Sequence, residues 1–443
     1  MTTILRTPAA WPRILLARAG AADPTDLDAA VRAGAFEGLK RAIRDLGATG
    51  TIATIAGSGL RGRGGAGFPA AEKWRACASQ DERQRYVVAN GYGADPAVVT
   101  DRTLMEEDPY AVLEGVAIAA YAVGANEAYV AVRADNSEAV RRLESAVAQA
   151  EDAGIIGFDF LGSGHDLAIH VRTVQGAYML GEETVLLKAL EGRRGQPEQR
   201  PPYPTERGLF DKPTVVQNVA TLAAVPWILL NGTERFAARD STASPGTALV
   251  QVRTPAGNGI AEVPLGTPLR EIVELAGDLP AGHTLKALLV GGPSGGLLPP
   301  DLLDTPYDFE PLREAGAHIG SGSIVAVDDR ACVVDLARLL TRFCADEACG
   351  KTIPCRIGTR RLVEIGDRIV SGDPRPTDLQ LLADLSADIV ESALCDHERL
   401  TTYPLATGMR YFRSELDDHI LHSTCPAGVC RPIAVAAAAA GRG

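Results

Sequence analysis

Short strand-like runs alternate with longer helical patterns between about Leu27 and Leu230. The runs RYVVAN, EAYVAVR and DLAIHVR are rich in β-branched and aromatic residues, and the segment YAVLEGVAIAAYAVG between the first two has helical character. Asp108 and Pro109 precede that helical segment as an N-cap and a first-turn proline. Alternation of this kind predicts an α/β layer domain, which we place at residues 1–239.

Two further regions follow. The turn-forming stretch DSTASPG, which begins at Asp240, is interpreted as a linker. After it, TALVQVRTPAGNGIAEVPLG predicts paired strands, TPLREIVELAG a helix and KALLVGG another strand, which together make a small α+β domain at 240–325. From about Asp328, VVDLARLLTRF and TDLQLLADLSADIVESAL have helical spacing, so a helical domain is predicted for 326–443.

Charge and hydropathy exclude several classes of protein. The chain has 443 residues, 46% of them hydrophobic and 23% charged, with a formal net charge of -12. This balance argues against a nucleic-acid or anionic-membrane binder, because phosphate contacts need clustered Lys and Arg. No apolar run approaches the roughly 20 residues of a membrane-spanning helix. We therefore expect a cytoplasmic protein, or a peripheral subunit that faces the cytoplasm.

Cysteines are concentrated near the end of the chain. Seven of the eight lie at or after Cys332, and in a reducing compartment such clustering favours metal ligation or redox chemistry over disulfides. Cys77 and Cys344 are interpreted as small buried hydrophobic residues.

A glycine-rich segment, SGLRGRGGAGFPAAEKW, contains Gly62, Gly64 and Gly67 in the pattern G-x-G-x-x-G. Such loops let backbone N–H groups approach a phosphate closely. The residues before it predict a helix or turn, whereas a dinucleotide fingerprint follows a strand. Phe68 can cover a ring and Lys73 can pair with a phosphate; the alternative is a flexible glycine turn.

Two later segments carry polar residues suited to a cofactor. Glu182 and Glu183 open a predicted helix, where carboxylates are favoured even without a ligand. The following run of glycines, basic residues and prolines ends at Tyr203 and predicts a shaped, irregular surface. In KPTVVQNVATL, the residues Gln217, Asn218 and Thr221 suit either a cofactor edge or phosphate, or the capping of the next helix.

The C-terminal region offers two candidate metal sites. In ADEACGKTIPCR, Cys349 and Cys355 are six residues apart, and Thr352 stands at the midpoint where C-x-x-C-x-x-C would have a cysteine. In LDDHILHSTCPAGVC, ligands of the kind that bind Zn²⁺ are His419 or His422, Cys425 and Cys430, with Cys332 as a fourth. The alternative for the tail is a loop with two reduced thiols.

Seven segments, taken in order along the chain, resemble the NADH-binding flavoprotein subunit of respiratory complex I and its relatives in soluble NAD-linked hydrogenases and formate dehydrogenases. The segments are GLRGRGGAGFP, GAYMLGEET, GRRGQPEQRPPYP, KPTVVQNVATL, GGPSGG, GSGS and CGKTIPCR. The resemblance implies an FMN- and NADH-binding α/β domain, a ubiquitin-like soluble-ligand-binding (SLBB) domain and a C-terminal helical bundle with a four-iron cluster. It also implies NADH dehydrogenase activity, in which electrons pass from NAD(P)H through FMN to the cluster or in the reverse direction. The implied partners are a ferredoxin-like or thioredoxin-like iron–sulfur subunit and a larger dehydrogenase, hydrogenase or respiratory complex.

The resemblance assigns roles to individual residues. FMN would be held by Gly64, Gly65, Gly67 and Lys73, with Asn90, Asn218 and Thr221 around its phosphate and ring. Phe68 and Tyr203 would sandwich the nicotinamide nucleotide, with Glu182 or Glu183 near its polar groups. Asp95 stands in place of a glutamate that helps seat the nucleotide. No catalytic base is expected, because the cofactor supplies the chemistry.

The chain departs from the family at two places. Tyr92 and Gly93 replace acidic residues, which implies weakened or altered nucleotide binding. Thr352 replaces a cluster cysteine, which leaves Cys349, Cys355 and Cys395 to hold a three-iron cluster, a four-iron cluster with one open iron, or no cluster. A non-catalytic scaffold, retained for assembly or regulation, is therefore the alternative function.

Overall fold

The computed structural model describes residues 3–237, 243–277 and 279–430. The chain forms two compact units. One comprises Met1–Gly176, Leu180–Val250 and Ile260–Thr267, and the other Ala177–Met179, Gln251–Gly259 and Pro268–Gly443. The predicted boundary between residues 239 and 240 lies outside the described residues, so the division into 1–239, 240–325 and 326–443 stays a prediction.

The first unit contains helices α1 to α10 and strands β1 to β4. The helices are α1 (Leu27–Arg32), α2 (Glu37–Arg41), α3 (Gly47–Ser58), α4 (Ala70–Ala78), α5 (Thr100–Glu107), α6 (Pro109–Val123), α7 (Ser137–Asp152), α8 (Glu183–Leu190), α9 (Val219–Asn231) and α10 (Thr233–Phe236). The strands are β1 (Tyr86–Gly91), β2 (Glu127–Arg133), β3 (Ala168–Val174) and β4 (Thr214–Asn218). The three predicted strand-like runs correspond to β1, β2 and β3.

These four strands form a parallel sheet in the order β3-β2-β1-β4. Parallel strands need crossover connections, and helices α5 and α6 link β1 to β2 while α7 links β2 to β3. The α/β layer predicted from the alternating pattern is confirmed.

Helix α6 lies at the centre of the first unit's core. Every residue of α6 except Tyr121 is buried, as expected for a helix that is hydrophobic on all sides. Asp108 caps it by accepting a hydrogen bond from the N–H of Ala111, and Pro109 occupies the first turn, as predicted. Helix α6 packs against α9, which begins directly after β4. The position of α6 therefore affects the edge of the sheet at which β4 ends.

A second sheet has the strand order β6-β5-β9-β7-β8. Its strands are β5 (Thr247–Arg253), β6 (Asn258–Pro264), β7 (Leu285–Val290), β8 (Gly296–Leu298) and β9 (Ser323–Asp328), accompanied by helices α11 (Leu269–Glu274) and α12 (Phe309–Glu314). Residues 251–253 pair in parallel with 323–325, and β7 is antiparallel to both β8 and β9. The strands and the helix predicted for the small α+β domain are present.

The C-terminal region is helical. It contains α13 (Val333–Asp346), α14 (Thr359–Ser371), α15 (Asp378–Ser392), α16 (Asp396–Leu400), α17 (Tyr403–Tyr411) and α18 (Arg413–Leu421), and a five-residue π-helical turn at Pro354–Gly358 precedes α14. Among residues 329–430, all of which are described, there is no strand. This agrees with the predicted helical bundle.

Within the described ranges, no helix has both the length and the apolar character needed to cross a membrane.

Candidate functional site

The carboxyl ends of β1 and β4 define one edge of the parallel sheet. Asn90 on β1 lies opposite Asn218 on β4 in the strand register. From β1 the chain continues to β2 and β3 on one side, whereas β4 returns to the other side of β1. In open α/β sheets, ligands bind outside the carboxyl ends of strands where the strand order reverses in this way. Both predicted asparagines therefore lie where a cofactor site is expected.

The glycine loop is held in a defined shape. The backbone N–H of Arg63 donates to Thr221 Oγ1 at 2.8 Å, and its guanidinium donates to the carbonyl oxygens of Arg61, Pro245 and Thr247. Arg63 is only 8% exposed. The interpretation as a flexible turn is therefore not supported, and Thr221 acts as an anchor for the loop.

The glycines allow this loop to lie against the sheet edge. Gly65 and Gly67 have φ values of +103° and +67°, which side chains disfavour. A Cβ added to Gly64 would lie 3.4 Å from Asn218 Cβ. As predicted, a helix rather than a strand precedes the loop, because α3 ends at Ser58.

A charged network lies beside the loop. Lys73 Nζ is 2.5 Å from Glu183 Oε2, and Arg200 forms ion pairs with both Glu182 and Glu183. Glu182 also caps α8, since its Oε2 accepts hydrogen bonds from the N–H groups of Thr184 and Val185. Helix capping thus accounts for Glu182, whereas Glu183 connects two cations.

The predicted polar residues of β4 also make contacts within the protein. Asn218 caps α9 by accepting from the N–H of Ala220, and its amide donates to Asp101 Oδ2 at 2.6 Å. Gln217 accepts a hydrogen bond from the indole N–H of Trp74 at 2.9 Å and so fixes α4, the helix that carries Lys73. Burial raises the pKa of Asp101 to about 6, against the effect of the Asn218 hydrogen bond.

The loop after β1 is tied down by Tyr92. The ring is buried, its hydroxyl donates to the Gly176 carbonyl at 2.5 Å, and its N–H donates to Asn90 Oδ1. Asp95 is also buried and accepts a hydrogen bond from the N–H of Ala97. The aromatic replacement at position 92 therefore packs inside the protein, where it supports the backbone around Asn90.

Phe68 and Tyr203 are exposed aromatic residues. Their relative exposures are 48% and 52%, which is high for large apolar rings. Exposed rings are available to stack on a planar ligand. A glycine loop at the sheet edge, two cations and two free aromatic faces fit a phosphorylated ring cofactor and a dinucleotide.

The predicted cluster cysteines lie on two segments that one glutamate connects. Thr352 Oγ1 donates to Glu398 Oε1 at 2.7 Å, and Glu398 Oε2 accepts from the N–H of Leu394, next to Cys395. The π-helical turn places Cys355 in the same loop, and its N–H donates to Thr352 Oγ1. Local π-helical turns are frequent at functional sites.

The two loop thiols contact each other. The hydrogen bond from Cys355 lowers the pKa of Cys349 to about 6, and the same contact, together with burial, raises the pKa of Cys355. Cys349 therefore loses its proton readily, and the thiolate form is the one that binds metals. Thiolates are the usual ligands of iron–sulfur clusters, so the chemistry of Cys349, Cys355 and Cys395 fits the predicted cluster.

Cys77 and Cys344 are buried, as predicted. Cys344 lies inside α13, and its carbonyl accepts a hydrogen bond from the His397 ring, so it stays in the helix. Burial raises the pKa of Cys77 to about 12.

A third group joins Cys332, His419, Cys425 and Cys430, whose ligand atoms all lie within 4.8 Å of one another. His419 Nε2 is 3.4 Å from Cys332 Sγ and 3.5 Å from Cys430 Sγ, while Nδ1 donates to the Glu415 carbonyl. A backbone partner on the second ring nitrogen is typical of metal-binding histidines. Three thiols and one imidazole fit tetrahedral Zn²⁺.

The pKa values of two members of this group, His419 and Cys332, are shifted by their surroundings. Burial lowers the pKa of His419, but contacts with Cys332 and the Glu415 carbonyl outweigh it and raise that pKa to about 9. The contact with Cys430 and burial raise the pKa of Cys332. Of the two candidate histidines, His419 belongs to this group and His422 does not.

Three residues of the candidate sites were not predicted from the sequence. Arg63, Arg200 and Glu398 act through partners that are distant in sequence, and their residue types carry no local signal. The individual cofactor-binding and cluster-ligand assignments remain proposals.

Family models match two regions of the chain. Residues 55–227 match the Nuo51 FMN-binding domain, and residues 335–419 match the NADH-ubiquinone oxidoreductase-F iron–sulfur binding region. These regions contain the glycine loop and the predicted cluster cysteines, respectively. The predicted FMN and iron–sulfur regions are confirmed.

Whole-chain relatives agree. The NADP-reducing hydrogenase subunit HndC of Solidesulfovibrio fructosivorans is 39% identical over 94% of this chain and 85% of its own length. An NADH-quinone oxidoreductase subunit of Rhizobium meliloti is 38% identical over 89% of this chain and 94% of its own. The NAD+-reducing [NiFe]-hydrogenase in its H2-reduced state superposes with a TM-score of 0.81 at 30% identity, over 95% of this chain and 68% of that one. The chain therefore belongs to the family of FMN- and iron–sulfur-binding subunits of NADH-quinone oxidoreductases and their hydrogenase counterparts.

Proposed function

We propose that the chain is a flavoprotein subunit that exchanges electrons between NAD(P)H and a partner iron–sulfur subunit. The observation that carries this proposal is the glycine loop, which Arg63 and Thr221 hold against Asn218 where the strand order reverses. A scaffold would not need this arrangement, and no finding supports the non-catalytic alternative.

The residues of the first unit would position the cofactors and offset their negative charge. Lys73 and Arg200 supply positive charge, and Glu183 holds both cations at the site. Phe68 and Tyr203 supply stacking surfaces. Bound FMN would supply hydride acceptance and single-electron release.

The relatives indicate partner subunits. Their names describe components of NADH-quinone oxidoreductases and of hydrogenases. By analogy, this chain would pass electrons to a ferredoxin-like or thioredoxin-like iron–sulfur subunit of a larger dehydrogenase, hydrogenase or respiratory complex. A cytoplasmic location remains part of the proposal.

The test is an anaerobic absorption spectrum of the full chain loaded with FMN, recorded before and after addition of NADH and, separately, NADPH. Bleaching of the bound flavin by either nucleotide supports the proposal. A bound flavin that dithionite reduces but neither nucleotide reduces would overturn it.

Lys73→Met is expected to weaken FMN binding about ten- to a hundredfold. Loss of a charged hydrogen bond costs about 1.5–3 kcal/mol, and each 1.4 kcal/mol is a factor of about ten in affinity. Fluorescence titration of FMN measures the effect. Lys212→Met is the matched control, because Lys212 pairs with the exposed Glu82. Equal dissociation constants for the two variants would remove Lys73 from the flavin site.

The Cys/His group is expected to hold about one zinc ion per chain. Cys332→Ser should abolish zinc retention and lower the melting temperature, because a structural zinc site stabilises the fold that forms it. Cys344→Ala is the control, since this buried cysteine lies outside the group. Elemental analysis of protein prepared with excess zinc measures the bound metal. Protein that contains no zinc but has a normal melting temperature would refute the site.

A further inference from the structure

We infer that Glu398 is the fourth protein ligand of the iron–sulfur cluster, in place of the cysteine that Thr352 replaces. The inference rests on the proposed function, because it concerns the cluster that this function requires. It starts from a contact between residues 46 positions apart, in which Thr352 Oγ1 donates to Glu398 Oε1 at 2.7 Å.

Thr352 is not a ligand itself. Its hydroxyl retains its proton and uses it in the bond to Glu398, and its oxygen accepts the N–H of Cys355 at 3.1 Å. A hydroxyl used in this way orients the carboxylate. Thr352, which stands where the family has a cysteine, therefore holds in place the carboxylate that we infer replaces the missing thiolate.

Glu398 has the properties that a ligand needs. Its residue is 1% exposed, and a buried carboxylate is costly unless a cation or several hydrogen bonds compensate it. Its hydrogen bonds come from Thr352 Oγ1 and the N–H of Leu394 at 3.1 Å. A carboxylate has about four lone-pair positions, so two bonds leave capacity for a metal. Carboxylates also ligate iron in non-haem proteins.

The position of Glu398 matches the other ligands. Its two oxygens contact the loop that carries Cys349 and Cys355 and the turn that carries Cys395. Hydrogen bonds from Thr352 Oγ1 and the N–H of Leu394 fix its orientation, as such bonds commonly do for metal-binding carboxylates. Such a cluster has three irons bound by thiolate and one bound by a carboxylate oxygen.

The experiment uses the full chain with FMN, reconstituted anaerobically with 57Fe and sulfide, and measured by iron analysis and Mössbauer spectroscopy. In the parent, one iron of the four is expected to show a spectrum distinct from the other three. Glu398→Gln keeps an acceptor for Thr352 but removes the anionic oxygen, so it should lose about one iron atom per chain and give a three-iron cluster. Glu391→Gln, on the exposed side of α15, is the matched control.

The double variant Thr352→Cys with Glu398→Gln tests the ligand role directly. A thiolate at position 352 should restore four irons with spectra alike. Glu398→Gln alone could hold no cluster at all. In that case, a four-iron cluster in the double variant supports the inference, and the absence of a cluster from both variants overturns it. A parent with three irons or none, or a Glu398→Gln spectrum identical to the parent, also overturns it.

Flavin reduction by NADH in the same samples separates the two proposals. Normal flavin reduction with an unaltered Glu398→Gln cluster would overturn only the ligand assignment. Failure of NADH and NADPH to reduce the flavin in every sample would overturn the proposed function.

Discussion

Gly115→Ala is expected to destabilise the chain by about 3 kcal/mol or more. Gly115 lies in α6, where a Cβ would stand 2.1 Å from the carbonyl oxygen of Leu222 in α9. The obstacle is backbone, so the two helices would have to move apart and lose packing. Because α9 begins after Asn218, its displacement should also weaken FMN binding.

Urea unfolding and FMN titration measure these effects. Gly57→Ala is the matched control, since Gly57 is an exposed helical glycine whose added Cβ would have its nearest neighbour at 3.7 Å. The control should gain about 0.5–1 kcal/mol, the usual benefit of alanine over glycine in a helix. A Gly115→Ala protein as stable as the parent would show that α6 and α9 do not pack this closely.

Glu114→Gln is expected to remove a pH-dependent loss of stability. Glu114 is fully buried, and burial raises its pKa from 4.5 to about 7, against the effects of Arg18 and nearby backbone N–H groups. The folded chain therefore binds this proton more tightly than the unfolded chain does. The stability it contributes is complete below pH 4.5 and lost as pH rises through 7, a change of about 3 kcal/mol.

The measurement is the free energy of unfolding of parent and variant between pH 4.5 and 8. The difference between the two should shift by about 3 kcal/mol in favour of the glutamine protein as pH rises. Glu37→Gln, an exposed glutamate paired with Lys40, should run parallel to the parent. Parallel curves for Glu114→Gln and the parent would contradict the assigned protonation.

Local sequence patterns predicted the strands and helices that form because of neighbouring residues. The runs that became β1, β2 and β3 are short and rich in β-branched residues, and Asp108 caps α6 from the neighbouring position. The helical tail was also predictable, because apolar residues recur at helical spacing in α13 and α15. Such signals depend only on residues within one or two turns.

Long-range partners could not be predicted from the sequence. Arg63 bonds backbone carbonyls more than 180 residues away, and Thr352 meets Glu398 across 46 residues. Hydrogen bonds of this kind depend on how the chain is packed rather than on spacing. Gln217 illustrates the same limit. The sequence predicted that it contacts a cofactor, but in the structure it accepts a hydrogen bond from the buried Trp74 indole.

In the proposed function, electrons pass from NADH through FMN to the cluster. The most direct measurement is freeze-quench EPR of the full chain, reconstituted anaerobically with iron and sulfide, after mixing with NADH in the presence and absence of FMN. We expect a reduced-cluster signal only when FMN is bound, preceded by bleaching of the flavin. A cluster that dithionite reduces, but that stays oxidised while the flavin is fully reduced, would show that electrons do not pass from FMN to the cluster.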